Sequence, residues 1–161
     1  MVQLKDLKNG DLLVWEKALD KTKFNYLKLV RLATYSNFGH VTVVWRKPEG
    51  LFQVDASKPV ISLEKVKNFP GLFVVPIRGS ISDEEMQNFF SDKIGLEYGT
   101  MDAIRAWLGL VLADEDKWQC AELCLWFFRS LGLELSDAYT PKELVYELMT
   151  KYNLPLYKVL D

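Results

Sequence analysis

Two alternating segments, residues 40–45 and 51–56, constrain the fold of this chain more than any other feature. In His40-Val41-Thr42-Val43-Val44-Trp45 and Leu51-Phe52-Gln53-Val54-Asp55-Ala56 the odd positions of the first and the even positions of the second are apolar. Successive side chains of a strand point to opposite faces, so this pattern reads as a β-hairpin with one buried face. Residues 46–49 supply the loop, closed by Trp45 and Gly50. In that register His40 lies opposite Asp55, and Thr42 opposite Gln53. Val41, Val43 and Trp45 share the core face with Phe52, Val54 and Ala56. A slip of one residue would set His40 against Ala56 and reverse the faces. The hairpin therefore puts a carboxylate beside the single histidine of the chain.

The rest of the chain supplies elements to either side. Asn9-Gly10-Asp11 is a turn signal before an apolar strand at 12–15. Residues 24–34 carry apolar positions at helical spacing, and 60–63 and 72–77 read as further strands. Ser82-Asp83-Glu84-Glu85 is a capping box, opening a helix to about residue 94. Helices follow at 101–113 and at 118–131, the latter closed by Gly132. Thr140-Pro141-Lys142-Glu143 caps a last helix through residue 151. Strands gather in the first half and helices flank them, an α+β arrangement of an antiparallel sheet packed against helices. At 161 residues, 49% of them hydrophobic, residues 1–161 are expected to form one domain.

A formal net charge of −2 excludes a broad nucleic-acid footprint. No leader pattern opens the chain, and the apolar run at 106–113 is too short to span a bilayer. The expectation is a cytoplasmic protein with no stable membrane insertion. No Gly-rich phosphate loop and no Gly-x-Ser-x-Gly elbow occurs. One His and two Cys do not make a structural zinc site, so neither metal nor cofactor is expected. Nucleophilic thiol chemistry remains, because it needs one thiol, one imidazole and one orienting polar group.

The two thiols differ in context. Cys120 stands at the opening of its helix, where backbone N–H groups and the positive end of the helix dipole favour a thiolate and an oxyanion. Cys124, one turn further in among Leu123, Leu125 and Phe128, reads as core. Both are expected to be free, since they sit four apart on one helix.

The order of motifs resembles the circularly permuted NlpC/P60 group, in particular its YiiX/YaeF-like branch. The motifs are Gly10-Asp11-Leu12-Leu13, Gly39-His40-Val41-Thr42-Val43-Val44, Val54-Asp55-Ala56-Ser57, Gly95-Leu96-Glu97-Tyr98, Cys120-Ala121-Glu122-Leu123 and Thr140-Pro141-Lys142-Glu143-Leu144. In the unpermuted enzymes the cysteine helix precedes the histidine strand. Here it follows. The resemblance implies a papain-like fold, an antiparallel sheet or small barrel packed against helices. It also implies a thiol hydrolase with Cys120 as nucleophile, His40 as base and Asp55 as the orienting third residue. Tyr98 and Gln53 are placed in the substrate cleft, and Gln53 is the alternative to Asp55 as third residue. Thr42 stands where the group usually has a small residue, and Asp55 where His, Glu or Asn is commoner.

The implied substrate is a small peptide or acyl compound, foremost the γ-D-glutamyl-diamino-acid amide of a peptidoglycan stem peptide. The same site would also serve a thiol acyltransferase or lipid hydrolase of the lecithin:retinol acyltransferase type. A deubiquitinase-like isopeptidase and a binding module without turnover are the other readings.

Overall fold

A computed structural model describes residues 1–16, 38–57, 59–67, 70–97, 120–138 and 140–160. In chain order these form β1 (Val2–Gln3), a 3₁₀ turn (Leu4–Asp6), β2 (Leu12–Trp15), β3 (His40–Lys47), β4 (Gly50–Ala56), β5 (Ile61–Lys65) and β6 (Leu72–Val75). Helices α1 (Asp83–Phe90), α2 (Cys120–Ser130) and α3 (Pro141–Lys151) and strand β7 (Tyr157–Leu160) complete them. The helices anticipated at 24–34 and 101–113 lie outside the described residues.

The strands make one open sheet in the order β1-β7-β6-β2-β3-β4-β5, antiparallel except for the β1–β7 pair. The class is α+β as expected, with a sheet and not a closed barrel. Strand β2 sits mid-sheet between β3 and β6, and all four of its residues are buried. Leu12 and Val14 point into the main core with Val41, Val43, Trp45, Val54 and Ala56, against Met86, Phe90, Phe127, Phe128 and Leu144 of the helices. Leu13 and Trp15 point the other way, into a smaller cluster with Leu7, Val44, Leu72, Val74 and Val159. A strand covered on both faces needs no polar alternation, which is why 12–15 is wholly apolar.

The hairpin register differs from the expected one by two residues. Val43 pairs with Val54, Trp45 with Phe52 and Lys47 with Gly50, so the strands run past Trp45 to a two-residue turn at Pro48 and Glu49. Two contacts favour the longer strand. Arg46 donates from Nε and Nη2 to the Leu7 carbonyl, and its backbone N–H donates to Asn9 Oδ1. Gly50, at φ 139°, takes a backbone conformation that side-chain-bearing residues rarely adopt. A shift of two preserves both faces, because the side-chain period is two. His40, Thr42, Gln53 and Asp55 therefore still share one side of the hairpin, but His40 and Asp55 are diagonal neighbours.

Gly10 and Asp11 lock β2 in place. Gly10, at φ 82°, donates to the Val44 carbonyl, and Asp11 accepts from the backbone N–H groups of Lys8 (2.8 Å) and Ile77 (3.1 Å). Burial raises the Asp11 pKa above its ordinary value, against the pull of those two hydrogen bonds and the nearby Lys8 and Arg46 charges.

Both capping boxes form: Ser82 with Glu85 opens α1, and Thr140 with Glu143 opens α3. Helix α1 ends at Phe90, short of the expected residue 94, where the chain turns to let Gly95 and Leu96 bond with Ile61 at the β5 edge. Gly132, at φ 85°, ends α2 as anticipated. The expected strand at 60–63 begins one residue later, and that at 72–77 stops at Val75. Strand β7, late in the chain and pairing with β6 and β1 of its first half, is an addition to the expected elements.

Candidate active site

Strand β3 begins at His40, and the preceding Gly39 donates its N–H to the Trp15 carbonyl, fixing the strand start beside the end of β2. Asp55 lies near the end of β4. Its Oδ1 is 2.8 Å from His40 Nε2. Cys120, the first described residue of α2, lies close enough to the His40 ring to bear on its titration. Helix α2 packs across β3, which carries Cys120 to the ring. His40, Asp55 and Cys120 are 7%, 9% and 8% exposed, so water contributes little screening between them.

The electrostatics follow from that geometry. Burial pulls the His40 pKa down. Interaction with Cys120 and the hydrogen bond to and charge of Asp55 outweigh it and push the ring up to about 10. For Asp55, burial works against the ionised form, but the His40 hydrogen bond and charge, with hydrogen bonds from Ser57 and Gln53, hold its carboxyl below the usual 3.8. An imidazolium pinned between a carboxylate and a sulfur is an arrangement that can hold, release and recover one proton.

Cys124 is also buried and free, and desolvation pushes its thiol well above the usual 9.0, with the charges of Cys120 and Asp55 adding to the effect. It belongs to the main core. The two thiols thus occupy different environments one helical turn apart.

Of the residues singled out from sequence, His40, Asp55 and Cys120 come together. Asp55, not Gln53, touches the ring. Gln53 is buried beside them, its Nε2 3.3 Å from Asp55 Oδ2 and its Oε1 3.4 Å from the Thr42 hydroxyl. Tyr98 lies outside the described residues. Ser57 was missed as a partner of Asp55, although it closes the Val54-Asp55-Ala56-Ser57 motif. Among the described residues no helix is long and apolar enough to cross a membrane.

No family model matches the sequence, and no curated protein does. Solved structures do. The crystal structure of the metalloprotein yiiX from Escherichia coli O157:H7 superposes with a TM-score of 0.58 at 18% identity, over 94% of this chain and 87% of that one. The fold is yiiX-like. Among the described residues here, no group of three or more His, Cys, Asp or Glu is placed to hold a metal ion.

Proposed function

We propose that this chain is a thiol hydrolase of the circularly permuted NlpC/P60, papain-like kind, with Cys120 as nucleophile, His40 as base and acid, and Asp55 as orienting residue. One observation carries the reading: a buried chain of contacts from Asp55 through the single His40 to Cys120. The yiiX-like fold and the motif order support it.

The Cys120 sulfur attacks a substrate carbonyl carbon, and the carbonyl π pair moves to oxygen. The backbone N–H of Cys120, in the first described turn of α2, helps to stabilise that oxyanion. Collapse of the tetrahedral intermediate breaks the C–N bond as His40 gives its proton to the leaving amine, leaving a thioester. His40 then takes a proton from water, the hydroxide adds to the thioester, and collapse releases the acid and the thiolate. Asp55 holds the ring in one orientation and stabilises its protonated form throughout.

The substrate class proposed is the γ-D-glutamyl-diamino-acid amide of peptidoglycan stem peptides. Incubation with muropeptides, acyl thioesters and lipids, and isopeptide-linked substrates is the test. Cleavage of the stem peptide by wild type and not by Cys120→Ala is expected. Turnover of only thioesters, lipids or isopeptides would replace the substrate class, and inertness across the panel would overturn the hydrolase reading.

A further inference from the structure

Behind Asp55 lies a polar pair that the proton-transfer steps do not use. Thr42 on β3 is fully buried, and Gln53 on β4 is 5% exposed. The Thr42 hydroxyl donates to Gln53 Oε1 at 3.4 Å, and Gln53 Nε2 donates to Asp55 Oδ2 at 3.3 Å. Asp55 presents its other oxygen, Oδ1, to His40. The direction of this chain is set by valence. An ionised carboxylate only accepts, so the amide must turn its NH₂ toward Asp55 and its carbonyl away. A carbonyl turned into the protein interior then needs a donor, and the Thr42 hydroxyl is that donor. Val or Ala at position 42 would leave the Gln53 carbonyl buried and unmatched, with nothing to prefer one amide orientation over the other.

We propose that Gln53, oriented by Thr42, is a positioning residue that fixes the Asp55 carboxylate against the His40 ring. The role rests on the catalytic reading above, and it replaces the substrate contact that the sequence suggested for Gln53. Both ends of the Gln53 amide are engaged inside the protein. Its hydrogen bonds are long, so each contributes modestly. Its effect is transmitted through Asp55: without the Nε2 donor the carboxylate loses a fixed rotamer and one of its stabilising partners, and the imidazolium in turn loses support.

The test needs no substrate, because the chain has one histidine and two distinguishable thiols. Iodoacetamide alkylation of Cys120 near pH 6 and NMR titration of the His40 ring are measured in wild type, Gln53→Leu, Thr42→Val, Asp55→Ala and the Asp55→Ala/Gln53→Leu pair. Gln53→Leu is expected to slow alkylation about three- to tenfold, the size of one lost hydrogen bond to a charged group at long range, and to lower the His40 titration midpoint. Thr42→Val, which is close in shape, shifts both readouts the same way by less. On the Asp55→Ala background Gln53→Leu has no further effect, since the two act through one group.

Wild-type Cys120 that is inert near pH 6 would overturn the catalytic reading and this role with it. A reactive wild-type Cys120 whose rate and His40 midpoint are unmoved by Gln53→Leu would overturn the positioning role alone. So would a Gln53→Leu effect of full size in the absence of Asp55. Should Gln53→Leu fail to fold, Thr42→Val decides the matter: an unchanged His40 midpoint there overturns the proposal.

Discussion

Asp55 Oδ1 and His40 Nε2 are 2.8 Å apart although the two residues are not directly opposite in the hairpin. They meet diagonally across β3 and β4, on the same face. That contact occupies Nε2 and sets the orientation of the ring beside Cys120. The proposed activation of the nucleophile depends on it.

Removing the carboxylate tests its proposed job. Asp55→Ala should lower turnover on a confirmed substrate by about 10² to 10⁴, as expected for a base that has lost its orientation. Thermal melting of both proteins checks that the fold persists. Equal turnover in two equally stable proteins would remove Asp55 from the mechanism.

The thiols should separate by reactivity. At about pH 6 an ordinary free thiol is almost wholly protonated and reacts slowly. Iodoacetamide should nonetheless modify Cys120 in native protein and spare Cys124, whose thiol burial pushes up. In His40→Ala the rate at Cys120 should fall by about tenfold or more, because the neighbouring imidazolium is gone. Peptide mass spectrometry reads both sites, and preferential labelling of Cys124 would reverse the assignment of the nucleophile.

The pH dependence of stability has a definite sign. His40 is raised from 6.5 to about 10 in the folded protein, so its contribution is complete below pH 6.5 and is lost as pH climbs toward 10. Asp55 is lowered below 3.8, so its contribution is present above that pH and is lost as pH falls through the folded value. Urea midpoints of wild type minus Asp55→Ala should narrow at both ends of the range. Cys120→Ser should bring the His40 NMR midpoint down, since interaction with Cys120 is a principal cause of its rise. A midpoint indifferent to Cys120→Ser would contradict the contact.

Gly10 offers a stability test away from the site. It holds φ 82°, and an added Cβ would collide with Ile81 Cδ1 and meet its Cγ1 at 3.3 Å. The methyl end of Ile81 has rotameric freedom to yield, but the backbone angle has none. Gly10→Ala should destabilise by about 1–2 kcal/mol in urea denaturation, with the alkylation rate of Cys120 in native protein unchanged.

Local chemistry was legible in the sequence. The two capping boxes, the left-handed glycine after α2, the strand at 12–15 and the two faces of the hairpin all depend on residues close along the chain. Period-two alternation even protects the site against a register error, because a shift of two returns His40 and Asp55 to the same face. The tertiary structure decided what depends on distant partners. The Arg46 side chain, held by carbonyls near the N-terminus, carries the hairpin past Trp45 to a tighter turn. Strand β7 exists because β6 and β1 offer edges to pair with, and its short sequence, Tyr157-Lys158-Val159-Leu160, carries little of its own signal. The turn that ends α1 at Phe90 is fixed by bonds to β5. The contact of Cys120 with His40 joins residues eighty positions apart, and the inward turn of Gln53 toward Asp55 needs a hydroxyl from the neighbouring strand. Such contacts form only when packing has closed the chain around them. Sequence pattern can nominate their members, and only the fold sets which atoms touch.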